Sequence, residues 1–82
     1  MIDGAKKLGL SESDATTLTI QTMVGAAKLL EESGDSPSTL REKVTSPNGT
    51  TAAALASFGE SGLTTIVAKA MEAAKNRSQE LA

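Results

Sequence analysis

Val44-Thr45-Ser46-Pro47-Asn48-Gly49-Thr50-Thr51, running on into Ala52-Ala53-Ala54-Leu55, is a helix stop, a turn and a helix start written without a spacer. Pro47 has no N–H to donate and ends any helix that reaches it. Asn48 and Gly49 permit a sharp change of direction, and Gly49 lets backbone or ligand come close. The next helix begins at about Gly49 to Thr51. Its first N–H groups lack intrahelical partners and carry partial positive charge, so its mouth can hold a carboxylate or a phosphate. The hydroxyls of Ser46, Thr50 and Thr51 add donors and acceptors beside it. On this chemistry alone the stretch reads first as a capped interhelical turn, with Thr50 as a plain N-cap, and an anion site is the second reading.

Helical punctuation continues in both directions. Upstream, Ser36 is placed to cap a short helix with Pro37 at its first position, ending near Val44. Before it, Ser11 caps a helix from about Glu12 to Ser33, with Asp14 three residues on as a capping-box acid and Gly34 as its stop. Ile2 to Leu8 reads as the end of a further helix, closed by Gly9. Downstream, a fourth helix covers about Thr50 to Phe58, and Gly59 and Gly62 bracket a break around Glu60-Ser61. A fifth helix runs from Leu63 almost to Leu81. Its apolar stripe is Leu63, Ile66, Val67, Ala70, Ala74 and Leu81, and Lys69, Glu72, Lys75 and Asn76 mark the wet side. The expected fold is all-α, with about five helices and no sheet.

Eighty-two residues make one small domain with a thin core. Phe58 is the sole aromatic, and much of the apolar content is alanine. Yet Ile20, Met23, Val24, Gly25, Ala26, Ala27, Leu29 and Leu30 leave the second helix apolar on most sides. Such a helix needs cover on several faces, most simply from a second copy. Gly25 costs about 1 kcal/mol of helix propensity against alanine, a cost that a close helix crossing justifies. The net charge of −2 and the lack of a basic patch argue against a nucleic-acid partner. There is no cysteine for disulfides or thiolate chemistry and no histidine for general-base work or metal ligation. The scattered acids, among them Glu31-Glu32, Asp35, Glu42, Glu60, Glu72 and Glu80, form no metal cluster. No apolar run spans a membrane, no signal peptide is present, and the expected compartment is the cytoplasm.

The string VTSPNGTTAAAL closely resembles the signature of the pyrroline-5-carboxylate reductases. Gln21-Thr22-Met23-Val24-Gly25-Ala26-Ala27-Lys28 resembles that family's QT-x-x-GAAK helix. Ala73-Ala74-Lys75-Asn76-Arg77-Ser78-Gln79-Glu80-Leu81 resembles its C-terminal AA-x-x-RS-x-EL. Asp3-Gly4-Ala5 to Gly9-Leu10 fits the segment before the QT helix, so the resemblance covers nearly all 82 residues in order. Asn48 stands where the family often has Gly, and Asn tolerates unusual backbone angles. Gly59 replaces a usual polar or acidic residue, and Lys6 a more often apolar one.

The resemblance implies the C-terminal dimerisation domain of an NADPH- or NADH-dependent reductase. That enzyme converts 1-pyrroline-5-carboxylate to L-proline. The implied fold is an interlocked helical homodimer like the C-terminal domain of 6-phosphogluconate dehydrogenase, with a higher oligomer of dimers as an extension. No G-x-G-x-x-G follows a strand here, so the expectation is that residues 1–82 form one helical domain. The cofactor would be held mainly by an N-terminal dinucleotide-binding domain outside these residues, and the 82 residues alone would be inactive. The implied substrate-binding residues are Ser46, Asn48, Gly49, Thr50 and Thr51. Backbone N–H groups of Gly49 and Thr50 and the Ser46 hydroxyl would grip the substrate carboxylate. Thr51 would be the catalytic residue, its hydroxyl meeting the ring nitrogen of the substrate or of the product proline. The rival reading is a stand-alone helical interaction module that kept the scaffold without catalysis.

Overall fold

Five helices and no strand make up the computed structural model, which describes residues 1–82. They are α1 (Ile2–Lys7), α2 (Glu12–Ser33), α3 (Pro37–Val44), α4 (Thr50–Glu60) and α5 (Leu63–Leu81). The molecule divides into two compact units, Met1–Arg41 and Glu42–Ala82.

In the first unit α1 packs on α2. The joint between them is a Schellman closure built on Gly9, whose φ of +112° suits only glycine. The Leu10 N–H donates to the Ala5 carbonyl at 3.1 Å and the Gly9 N–H to the Lys6 carbonyl at 3.1 Å. Helix α1 thus ends at Lys7, one residue before the sequence reading, because Leu8 already serves as its C-cap. Ser11 then caps α2, its hydroxyl accepting from the Asp14 N–H at 3.1 Å. The Lys6 ammonium lies 3.6 Å from the Glu12 carboxylate, so the unusual lysine of α1 has an ionic partner at the start of α2. Ala15, near the start of α2, is the one fully buried residue. Gly34 terminates α2 with a left-handed φ of 72°. The Ser36 hydroxyl accepts from the Thr39 N–H at 3.2 Å to start α3, with Pro37 at the first helical position.

In the second unit the backbone leaves α3, turns, and forms α4 and α5. The α4–α5 break falls later than expected. Helix α4 continues through Gly59 to Glu60, and Ser61-Gly62 make the joint. Gly59 stays within the helix. The positive φ, 72°, falls at Gly62 alone, and the Ser61 and Gly62 N–H groups close back onto the Ser57 and Gly59 carbonyls. Two glycines marked the break, but only the one that adopts the left-handed angle is its pivot.

The apolar faces picked out in α2 and α5 are open. Met23 is 60% exposed, Val24 54%, Ile66 58% and Val67 47%. The accessible surface is 6819 Å². A folded monomer of 8.3 kDa exposes about 4,600 Å² by the usual scaling. Helix formation here is a matter of caps and local hydrogen bonds, and the apolar stripes await cover. No helix is long and apolar enough to cross a membrane.

Candidate functional site

The turn between α3 and α4 is built from Ser46-Pro47-Asn48-Gly49. The Gly49 N–H donates to the Ser46 carbonyl at 3.0 Å, which closes a four-residue turn. Pro47 supplies the fixed φ favoured at the second position, and Asn48, at φ 59°, takes the left-handed angle at the third. Proline second and a positive φ third are the marks of a type II turn. Asn48 is the only non-glycine residue with positive φ, and its short polar side chain is what makes that angle tolerable.

Gly49 works differently from the expectation. Its φ of −86° is open to any residue, so the turn does not need glycine for its angle. What disfavours a side chain is crowding. A Cβ at Gly49 would sit 3.2 Å from the Ser46 carbonyl oxygen and 3.4 Å from Ser46 Cβ. Its N–H, expected to reach a ligand carboxylate, is instead held by that carbonyl. Gly49 is therefore the N-cap of α4 and brings Ser46 alongside the helix mouth.

The free donors lie one residue further on. The first i→i−4 bond of α4 runs from the Ala53 N–H to the Gly49 carbonyl at 3.1 Å. The N–H groups of Thr50, Thr51 and Ala52 precede it, and the N-cap residue, a glycine, offers them no hydroxyl or carboxylate. Ala52 was missed in the sequence reading. Counting three positions from the N-cap finds it, once the N-cap is known to be Gly49. Ser46, Asn48 and Thr50 are exposed, while Gly49, Thr51 and Ala52 are half-buried. The structure thus gathers all five expected residues into one turn and helix start. Three parallel donors with the positive end of a helix dipole behind them can take one anionic group, and Ser46 and Thr51 bring hydroxyls to the same mouth.

In the first unit an open groove of about 420 Å³ is lined by Met1, Ile2, Asp3, Thr19 and Met23. It offers one carboxylate and one hydroxyl among apolar side chains, with no cluster of donors. No group of acidic residues is arranged to hold a metal ion.

Comparison with known proteins identifies the family. The family model for pyrroline-5-carboxylate reductase dimerisation matches residues 1–81. The sequence is 50% identical over 82 residues to the pyrroline-5-carboxylate reductase of Pseudomonas aeruginosa, a match to 100% of this protein and 30% of that relative. It is 46% identical over 76 residues to the enzyme of the same name from Haemophilus influenzae, a match to 92% of this protein and 28% of the relative. The pyrroline-5-carboxylate reductase of Synechocystis sp. is 40% identical over 81 residues, which cover 99% of this protein and 30% of the relative. The 82 residues therefore span under a third of the length of these curated relatives.

Proposed function

The chain belongs to the pyrroline-5-carboxylate reductase dimerisation family, and from that premise we propose that it forms the dimerisation and substrate-carboxylate-binding domain of such a reductase. The reaction is reduction of 1-pyrroline-5-carboxylate to L-proline, and the setting is cytoplasmic proline biosynthesis. The observation that carries this reading is the start of α4. Three N–H groups without a side-chain partner at the N-cap, with the Ser46 and Thr51 hydroxyls nearby, stand in a sequence that matches the family from end to end.

The role of each residue follows from its chemistry. The Thr50, Thr51 and Ala52 N–H groups and the Ser46 hydroxyl bind the substrate carboxylate at the helix mouth. Asn48 and Gly49 shape the turn that holds Ser46 there. The Thr51 hydroxyl meets the ring nitrogen, accepting from an iminium N–H or donating to a neutral imine. It aligns the imine carbon with the hydride donor and helps handle the ring-nitrogen proton. NADPH or NADH supplies the hydride when bound. Five helices with no strand offer no βα phosphate cradle, so none of these residues is assigned to the nucleotide.

The reading includes a homodimer, or a higher oligomer of dimers, whose partner surface covers the open faces of α2 and α5. Nucleic acid and membrane have no part in it. The test is NAD(P)H oxidation by the full-length protein with 1-pyrroline-5-carboxylate. We expect turnover that requires the substrate carboxylate. A full-length protein that dimerises but shows no such turnover would instead be the stand-alone interaction module. These 82 residues by themselves should oxidise no NAD(P)H, and measurable activity from them would overturn the division of labour.

A further inference from the structure

We propose that the Asn48–Gly49 bond is a self-modification site, at which Asn48 deamidates to aspartate and isoaspartate and so places a carboxylate at the mouth of α4. The backbone nitrogen of Gly49 and the amide carbon of the Asn48 side group are the two ends of a five-membered ring. The nitrogen attacks that carbon and loses its proton as the new N–C bond forms. The bond from the same carbon to the original amide nitrogen breaks, and ammonia leaves. Water then opens the cyclic imide at either carbonyl. Opening at one gives aspartate, and opening at the other gives isoaspartate with one extra carbon in the backbone. No oxidant, metal or enzyme is required. Asparagine is among the chemically fragile residues for this reason.

Exposure, the bare glycine and the turn favour this bond, and one hydrogen bond slows it. Asn48 is exposed, so water and base reach its amide. Gly49 has no side chain to block the attacking nitrogen. The segment is a turn outside any helix, and the Gly49 N–H is held by a hydrogen bond to the Ser46 carbonyl at 3.0 Å. Opening that bond releases the nitrogen. While intact, that hydrogen bond makes the native turn slower than an unfolded Asn-Gly pair, because the nitrogen must first leave the carbonyl. The sequence has its own control. Asn76, the only other asparagine, lies inside α5, where the next backbone nitrogen belongs to Arg77 and is fixed in the helical ladder.

The product is placed where it matters electrostatically. Residue 48 immediately precedes the N-cap of α4, so a carboxylate there adds negative charge at the positive end of that helix. Resting on the reading of that mouth as an anion site, the new carboxylate is a tethered competitor for the bound carboxylate.

The experiment reads the modification by mass, independently of catalysis. The full-length protein is aged in mildly alkaline buffer and cut with a glutamyl endopeptidase. The fragment 43–60 carries Asn48 and the fragment 73–80 carries Asn76. We expect 43–60 to shift from the amide to the acid mass and to split into aspartyl and isoaspartyl forms, while 73–80 keeps its mass. Asn48→Gly retains the left-handed turn and should abolish the shift. Ageing in denaturant should accelerate it. An unshifted 43–60 fragment after prolonged ageing, or equal conversion at Asn76, overturns the proposal.

Discussion

Gly49 and Asn48 divide a task that either alone would fail. Asn48 takes the strained angle, and Gly49 takes the crowded place beside the Ser46 carbonyl. Gly49→Val should therefore damage folding and binding together, since its added carbons press on the Ser46 backbone, which must give way to admit them. Thermal melts should show the loss even without ligand. Thr51→Ala should behave differently. Loss of a hydroxyl at a helix start costs about 1 kcal/mol or less, while in the proposed site the same group is one of few able to meet the ring nitrogen. Steady-state kinetics of the full-length variant should show turnover falling far more than stability, and wild-type turnover would reduce Thr51 to a helix residue. Ser46→Ala should mainly raise KM, because it weakens carboxylate binding in ground and transition states alike. Asn48→Asp should raise KM as well, through a fixed negative charge at the same mouth. An unchanged KM in both variants would remove the anion from this site.

At the scale of elements, most helix boundaries trace to a residue that a reader of the sequence can point to. Ser11 and Ser36 accept from the N–H three residues on, and Gly9, Gly34 and Gly62 take the left-handed angle at helix ends. Caps are legible because they depend on a few neighbouring residues and on hydrogen bonds that close locally. The end of α4 was less legible because Gly59 and Gly62 bear the same signal, and only the hydrogen-bond ladder chooses between them. Gly62→Ala should lose about 1–2 kcal/mol through the left-handed angle, whereas Gly59→Ala, with open space around its Cβ position, should gain several tenths. Chemical denaturation of the two variants measures both. Gly25 is a sharper case. Nothing lies within 4 Å of a Cβ added there, so within one protomer Gly25→Ala should stabilise α2 by about 1 kcal/mol. Against a second copy crossing at Gly25 the same methyl should weaken association. We expect the second result, read as a rise in the dimer dissociation constant, and unchanged association would put the crossing elsewhere.

The whole molecule shows a mismatch between secondary structure and burial. Its helices are well formed, yet Ala15 alone is fully buried, and the apolar stripes of α2 and α5 are exposed within their own units. Apolar faces of that kind are what an obligate dimer interface covers. Sedimentation at micromolar concentration should find a dimer. Val67→Asp, a charge on the open stripe of α5, should shift it toward monomer and lower the melting temperature in a concentration-dependent way. A stable wild-type monomer would count decisively against the reading.

Local chemistry was enough for the sequence to determine five helices, most of their caps, the turn at Ser46 to Gly49 and the lack of any strand, because each depends on residues a few positions apart. The excess of apolar faces was also visible, since periodicity records which side of a helix shuns water. The tertiary structure decided what is already occupied. It showed that the Gly49 N–H belongs to the Ser46 carbonyl and that Thr50, Thr51 and Ala52 hold the free donors. It also showed that glycine at 49 answers to crowding and not to angle. Those facts rest on distances between atoms and on competition for each hydrogen bond, and residue order alone does not record them.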